Sequence, residues 1–164
     1  MPNIPNKLIE PSQRDLKRAR EFWGIAFGKL EQVQCVYSGL EMKKEQFSLD
    51  HFLPWRFVAH DLLWNIIPTP KGINSSKSDN LPDVEKYFDS FSKLQHQAVQ
   101  VVAASEKPNL LEDHILLLRS SSVRELGNIS LRNFQDVLRD TIAPQIQIAA
   151  NMGFPAHWKY GNNV

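Results

Sequence analysis

Three short stretches decide the fold of this chain, and they are LDHFLPW at residues 49–55, LWNIIPT at residues 63–69 and INSSKSDNLP at residues 73–82. Leading into the first, Phe47, Leu49 and His51 alternate with Ser48 and Asp50, which is typical of a short strand, and Pro54 ends it. The second stretch is apolar and extended, as a buried segment would be. The third is polar and long enough for two turns of helix that end before Pro82.

These stretches combine residue types that suit phosphate chemistry with a metal ion. Asp50 and Asn74 offer hard oxygen ligands, which Mg²⁺ prefers while it keeps several bound waters. An unperturbed imidazole has a pKa of about 6.5, so His51 can accept a proton from an attacking water. Lys77 follows Asn74 by about one helical turn, lies on the same helical face and could meet a phosphate oxygen.

Each of these residues also has a structural explanation. Most isolated Asp-His pairs are structural, and Asn74 before two serines could be a helix cap or a turn. For Asn65, a buried amide that bonds to the backbone is favoured over direct catalysis. The large apolar side chains nearby are expected in the local core, and they are Phe52, Leu53, Trp55 and Trp64. The remaining histidines have no partner at metal-ligand spacing, and they are His60, His96, His114 and His157.

Taken in order, the residues resemble the HNH endonuclease superfamily over roughly residues 32–82. The resemblance is closest to HNH domains that end in Asn, such as that of RNA-guided CRISPR effector nucleases, where a similar Asn-x-x-Lys-Ser-Asp-Asn-x-Pro string occurs. The family's ββα-metal fold carries an Asp-His pair on its second strand. The resemblance implies that Asp50 and Asn74 hold Mg²⁺ or Mn²⁺ and that His51 is the general base. It also implies that Asn65 fixes the loop that orients the base.

The fold class predicted is α+β, with a small ββα-metal nuclease core, an N-terminal helix and a C-terminal helical extension. The expected division is an N-terminal arm and helix at 1–29, the nuclease core at 30–83 and the helical extension, packed on the core, at 84–164. The alternation of residues 33–37 predicts the first strand of the core. Phe47 to His51 then form the second strand.

Cap residues and prolines place the helices. Ser12 is expected to cap the N-terminal helix, Asp83 a long helix and Ser130 a last helix through about Ala149. An apolar helix is predicted at 110–118, and the stretch from 120 to 128 is expected to be a loop. Pro144 should kink or divide the last helix.

Composition narrows the setting. The 164 residues include 19 Lys and Arg and 18 Asp and Glu. The net charge of +1 therefore gives no overall basic field that would indicate a nucleic-acid partner. Zinc-stabilised HNH proteins use two Cys-x-x-Cys pairs, whereas Cys35 is the single cysteine here, so no structural zinc is expected. Packing of Trp55, Trp64 and Ile66 must hold the core instead. The chain is expected to be cytoplasmic, with no membrane segment.

The resemblance implies a metal-dependent endonuclease that nicks or cuts DNA, in bacterial defence or restriction. Lys77, Arg56 and Lys71 are expected to contact the substrate, with Lys77 also assisting catalysis. Double-stranded DNA is the expected substrate, and a partner protein that targets the nuclease and a homodimer are both compatible with it. The alternative is a non-catalytic nucleic-acid-binding or nuclease-subunit module of a larger complex. The choice of DNA or RNA and any base specificity stay open.

Overall fold

A computed structural model describes residues 15–161 of the chain. The helices are α1 (Lys17–Lys29), α2 (Trp55–Val58), α3 (Lys71–Lys77), α4 (Val84–Ala103), α5 (Glu112–Leu118), α6 (Val123–Gly127) and α7 (Leu131–Asn151). The strands are β1 (Ser48–His51) and β2 (Ile66–Thr69), and single 3-10 turns lie at Leu63–Asn65 and Pro108–Leu111. Over the described range, no helix combines the length and the apolar character needed to cross a bilayer.

The two strands form an antiparallel sheet that carries the Asp-His pair. Asp50 lies opposite Ile67, and His51 lies opposite Ile66. Pro68 takes part in β2 although it has no N–H to donate, because each strand of a two-stranded sheet has an open edge. With α3 following directly, the unit is a small ββα core, and the predicted α+β class is confirmed.

The prediction of a strand at residues 33–37 is wrong. This segment makes only one isolated antiparallel bridge, between Gln34 and Glu41. The Cys35 N–H donates to the Leu40 carbonyl at 2.8 Å, and a turn follows at Gly39, whose φ is +73°. The turn reverses the chain before a longer ladder can form. The Asp-His pair therefore lies on the first strand of the sheet, and the second strand is the apolar segment that the sequence marked only as extended.

Three further predictions about the helices concern Ser12, residues 120–128 and Pro144. Ser12 lies outside the described residues, and α1 begins after Leu16, whose side chain makes no capping bond. The loop expected from 120 to 128 contains α6, capped by Ser122, which accepts from the Glu125 N–H at 3.1 Å. Helix α7 continues through Pro144 without a break. Pro144 is exposed, so the carbonyl that loses its partner can bond to water.

Two of the predicted caps are confirmed. The carboxylate of Asp83 accepts from the Lys86 N–H at 2.9 Å at the start of α4. The hydroxyl of Ser130 accepts from the Asn133 N–H at 3.1 Å at the start of α7. These bonds satisfy backbone donors that an uncapped first turn would leave unpaired.

Helix α4 connects the sheet to the other helices. The Gln95 amide donates to the carbonyls of Leu63 at 3.0 Å and Ile66 at 2.9 Å. The ring of Phe91 stacks on Phe52, which follows β1, with 4.0 Å between the ring centroids. The small sheet thus shares one core with α4, which supplies apolar surface that two short strands cannot provide.

The last described residues return to the ββα unit. Trp158 donates its N–H to the Leu81 carbonyl at 2.9 Å, and Leu81 donates to the Pro155 carbonyl at 2.7 Å. The indole of Trp158 packs edge-on against Tyr37, with 5.1 Å between centroids. This contact places the C-terminal segment against the side chain that, as described below, binds Asp50.

His114 is a fully buried, neutral histidine that contacts side chains of α1 and α4. Its Nε2–H donates to the Gln95 Oε1 at 2.9 Å, and its ring stacks on Phe22. The Nδ1 atom is buried with no hydrogen-bond partner among the described residues. Burial, with a smaller contribution from the positive charge of Arg18, lowers the pKa of His114 from 6.5 to about 3.

We expect this histidine to make the protein acid-sensitive. His114 takes up a proton far less readily in the folded state than in the unfolded state. The free energy of unfolding is therefore unaffected by protonation of this residue above pH 6.5 and decreases as the pH falls from 6.5 toward 3. Between pH 7 and pH 5, His114 should remove about 2 kcal/mol from the free energy of unfolding. Urea unfolding at both pH values measures this loss. His114→Gln should have a correspondingly weaker pH dependence, whereas His157→Asn, at an exposed position, should behave as wild type.

Candidate active site

Three predicted site residues meet at one cavity of about 210 Å³, namely Asp50, His51 and Asn74. The other lining residues are Leu49, Pro54, Trp55, Ser75, Ser78 and Asp79. Trp55 therefore lies half-buried at the cavity wall instead of inside the core where the sequence predicted it. The sheet and α3 together form this cavity, since β1 supplies the acid and the imidazole and α3 supplies the amide.

The Asp50 carboxylate is buried and held from two sides. Its Oδ2 accepts from the Tyr37 hydroxyl at 2.6 Å, and its Oδ1 accepts from the Lys77 ammonium at 3.3 Å. Burial and the nearby Asp50 charge raise the pKa of Tyr37 well above its usual value, so the phenol stays a donor at neutral pH. An ionised carboxylate has about four lone-pair sites. Both oxygens of Asp50 therefore keep capacity to accept a further ligand.

Lys77 lies elsewhere than the sequence suggested. Its side chain is fully buried, and its ammonium donates to the His51 carbonyl at 2.8 Å as well as to Asp50. It does not line the cavity. Helix α3 packs its Asn74 and Lys77 face against β1, and the long Lys77 side chain follows the strand inward. Burial lowers the pKa of Lys77, and the Asp50 charge opposes that shift.

The imidazole of His51 is oriented by Asp61, a residue that sequence analysis missed. Its Nε2 lies 2.8 Å from the Asp61 Oδ1, and since an ionised carboxylate only accepts, Nε2 is the protonated nitrogen. Asp61 keeps 21% of its side-chain surface exposed, and its Oδ2 accepts from the Asp15 N–H at 2.9 Å. No spacing rule singles out an aspartate ten residues after the histidine, so only the folded loop reveals the pair.

Asn65 clamps the chain that leaves β1. Its Oδ1 accepts from the Leu53 N–H at 2.8 Å, and its Nδ2 donates to the Leu53 carbonyl at 3.0 Å. The Asn65 main-chain carbonyl also accepts from the Phe52 N–H at 2.8 Å. The side chain is fully buried and does not line the cavity. Its three bonds determine the path of the two residues after His51, so its geometry is that of a positioning residue.

Asn74 presents its amide oxygen as the available atom of its side chain. The Nδ2 group donates to the Ser48 hydroxyl at 3.1 Å and to the Leu49 carbonyl at 3.2 Å. These two bonds use both amide hydrogens. No hydrogen bond reaches the Asn74 Oδ1 within residues 15–161. An amide orientation fixed in this way suits a carbonyl ligand that needs no rearrangement to bind.

The donor set fits a hard divalent cation. The Asp50 carboxylate and the Asn74 carbonyl are oxygen donors on the wall of one cavity, which suits Mg²⁺ or Mn²⁺. In the part of the chain that the structure describes, no group of three or more His, Cys, Asp or Glu side chains is placed to hold a metal. Mg²⁺ needs no such group, because it is commonly held by one or two carboxylates, waters and substrate phosphates.

The two remaining predicted residues, Arg56 and Lys71, do not line this cavity but are close to residues that do. Arg56, in α2, makes an ion pair with Asp79 at 3.4 Å, and both side chains are exposed. Such an exposed pair contributes little to stability and can open to bind an anion. Lys71 is exposed at the start of α3, in a neighbouring cavity that shares Asn74 with the first.

Residues 35–83 match a family model described as HNH endonuclease. The matched segment contains β1, β2 and α3, and it includes every site residue predicted from the sequence. This match confirms the resemblance to the HNH endonuclease superfamily. Neither the curated proteins nor the solved structures compared with the chain gave a match.

The buried pair of Asp50 and Lys77 yields a stability prediction. Lys77→Met leaves the Asp50 charge buried without its cation and should lower the free energy of unfolding by about 3–5 kcal/mol. Asp50→Asn should be costly for the same reason, because it leaves the Lys77 charge buried. The double variant removes both charges, so its cost should be well below the sum of the two single costs.

Urea unfolding of the four proteins measures this coupling. Lys159→Met is the matched control, because Lys159 makes a more exposed ion pair with Asp83 at 3.6 Å and should cost less than about 1 kcal/mol. Additive single costs for Asp50 and Lys77 would contradict the proposed pairing.

Proposed function

We propose that this protein is a metal-dependent nuclease that hydrolyses DNA phosphodiester bonds, because residues 35–83 match a family model described as HNH endonuclease. The observation that carries the proposal is the meeting of Asp50, His51 and Asn74 at one cavity. These side chains come from separate parts of the segment and supply an anionic ligand, a base and a neutral ligand. A phosphodiester hydrolase that uses water as the nucleophile needs these three functions.

Asp50 and Asn74 would hold the divalent ion, Mg²⁺ or Mn²⁺. When bound, such an ion stabilises the charge that develops on the phosphate and on the leaving oxygen. Asp50 contributes the charge, while Asn74 fills a second position without adding repulsion toward the phosphate. Tyr37 and Lys77 hold the carboxylate in place by hydrogen bonds, so we assign Lys77 to positioning Asp50 instead of contacting the substrate.

His51 would be the general base. Its Nε2–H donates to Asp61, so the neutral ring carries its lone pair on Nδ1, the nitrogen that would take the proton from water. Asp61 fixes this tautomer and stabilises the ring once it is protonated, as an orienting carboxylate does in other acid-base sites. Asn65 positions the ring indirectly through the chain after β1.

Arg56 and Lys71 would bind phosphates on the two sides of the scissile bond. One catalytic cavity hydrolyses one strand, so a double-strand break would take two events or two copies of the chain. We propose that residues 84–164 support the nuclease core and dock a partner that directs it, because a net charge of +1 provides little DNA affinity by itself. The proposed setting is bacterial defence or restriction, by analogy with the family.

Incubation of the protein with supercoiled plasmid tests this function. With Mg²⁺ or Mn²⁺ the protein should convert it to nicked circles, and a chelator should stop the reaction. His51→Ala should lower the rate by roughly 10²–10⁴, the usual contribution of a general base. His157→Asn is the control, because His157 is exposed and has a φ of +62°, which Asn tolerates. Wild-type protein that cuts no nucleic acid with either metal would favour a non-catalytic binding module.

Asp61 should affect the rate without affecting the metal. We expect Asp61→Asn to lower the rate of cleavage by about 10- to 100-fold, as loss of a supporting hydrogen-bond partner commonly does. Its affinity for Mn²⁺, measured by electron paramagnetic resonance, should equal that of wild type. Asp50→Asn should instead weaken Mn²⁺ binding. Equal loss of metal affinity in both variants would contradict the separate roles given to the two acids.

A further inference from the structure

A second cavity, of about 590 Å³, continues the proposed active site toward α1. Its lining residues are Arg20, Glu45, Gln46, Phe47, Ser48, Lys71, Asn74 and Ser75. Asn74 and Ser75 also line the first cavity, so the two cavities adjoin at α3, and together they are called the groove below. The proposed metal ligand Asn74 lies where they join.

Arg20 is held at this groove by the packing of α1. Arg20 and Phe27 are seven residues apart and share one face of the helix. The Phe27 ring stacks on Phe47, with 4.6 Å between centroids, which brings that face against the residues that lead into β1. On the adjoining side of the helix, the Trp23 indole donates to the Ile66 carbonyl at 3.0 Å. Helix α1 is therefore packed against the segment before β1 and hydrogen-bonded to β2.

Two exposed cations, Arg20 and Lys71, line the second cavity. Arg20 and Lys71 are both exposed, and neither makes an ion pair with any residue from 15 to 161. Their neighbours differ, since Arg18 pairs with Asp113 at 3.6 Å and Arg56 pairs with Asp79. Glu45 is the one carboxylate among the lining residues of this cavity. The lining of this second cavity thus carries a net charge of +1, whereas the carboxylates Asp50 and Asp79 line the first cavity.

We propose that Arg20 and Lys71 form a binding subsite for the phosphodiester group next to the scissile one. This inference rests on the proposed nuclease function and adds a substrate contact from outside the matched HNH segment. A guanidinium and an ammonium on the wall of one cavity can bind a phosphate by charge-assisted hydrogen bonds. The adjoining Gln46 and Ser48 add polar surface. The substrate must then extend past the scissile phosphate on the α1 side.

Salt dependence of binding measures the contacts directly, without cleavage. Duplex DNA binding is followed by fluorescence anisotropy in Mg²⁺, with all proteins carrying His51→Ala. Each lost phosphate contact lowers the slope of log affinity against log salt by about 0.9 on duplex DNA and about 0.7 on single strands. Arg20→Gln with Lys71→Gln should therefore reduce the slope by about 1.8 on a duplex. The control pair Arg124→Gln with Arg132→Gln removes the same charge from exposed positions and should leave the slope unchanged.

Replacing one phosphodiester of the DNA by an uncharged methylphosphonate locates the phosphate that Arg20 and Lys71 contact. One methylphosphonate, moved along the strand, should weaken binding of the His51→Ala protein at the phosphate next to the cleavage site. The same substitution should cause no further loss in the protein that also lacks Arg20 and Lys71. The cleavage site is mapped beforehand with the wild-type protein. An RNA duplex of the same sequence, compared in parallel, shows which nucleic acid the subsite prefers.

The outcomes separate this inference from the proposed function. A slope that falls equally for the Arg20/Lys71 and the Arg124/Arg132 pairs, in a protein that cuts DNA, would overturn the subsite and leave the nuclease intact. A wild-type protein that neither binds nor cuts DNA or RNA would overturn both. A reduced slope together with loss of the methylphosphonate effect supports the subsite.

Discussion

The carboxylate of Asp50, held between Tyr37 and Lys77, is the arrangement on which the proposed site depends. The Asp50 side chain is only 3% exposed, and a charge so enclosed is costly unless partners replace the lost water. The phenol and the ammonium are those partners, and they leave lone pairs of the same oxygens available. The fold thus places this carboxylate at the wall of a cavity where a phosphate is proposed to bind. A divalent cation bound there would offset the repulsion between the carboxylate and the phosphate.

The surrounding helices keep this arrangement in place. Gln95 in α4 binds main-chain carbonyls on both sides of the 3-10 turn before β2, so helix and sheet cannot shift independently. Trp158, from the C-terminal segment, packs on the phenol that binds Asp50. A two-stranded sheet is marginal by itself. The stability of the site is therefore a property of the shared core, and residues distant in sequence determine how rigidly the acid is held.

The matched HNH segment and the rest of the chain contribute differently to the groove. The segment provides Asp50, His51 and Asn74 at the cavity, together with Asp61, whose carboxylate orients the imidazole. Helix α1 lies outside the segment and adds Arg20 to the groove. The proposed substrate contacts thus extend beyond the portion that matches the family model. In this proposal the small core carries the chemistry, and α1 widens the surface that would recognise a nucleic acid.

The sequence by itself determined the α+β class, the caps Asp83 and Ser130, and the set of polar residues that converge, because these follow from local periodicity and from the order of rare residue types. It did not determine the strand pairing, since residues 33–37 alternate as a strand does yet turn back after one bridge. It also missed Asp61 and placed Lys77 at the substrate. Helical spacing puts Lys77 on the face of Asn74, but only the packing of α3 against β1 decides that its ammonium is enclosed beside Asp50. How deeply a side chain is buried, and which group it pairs with, depend on contacts between residues distant in sequence, which no local pattern encodes.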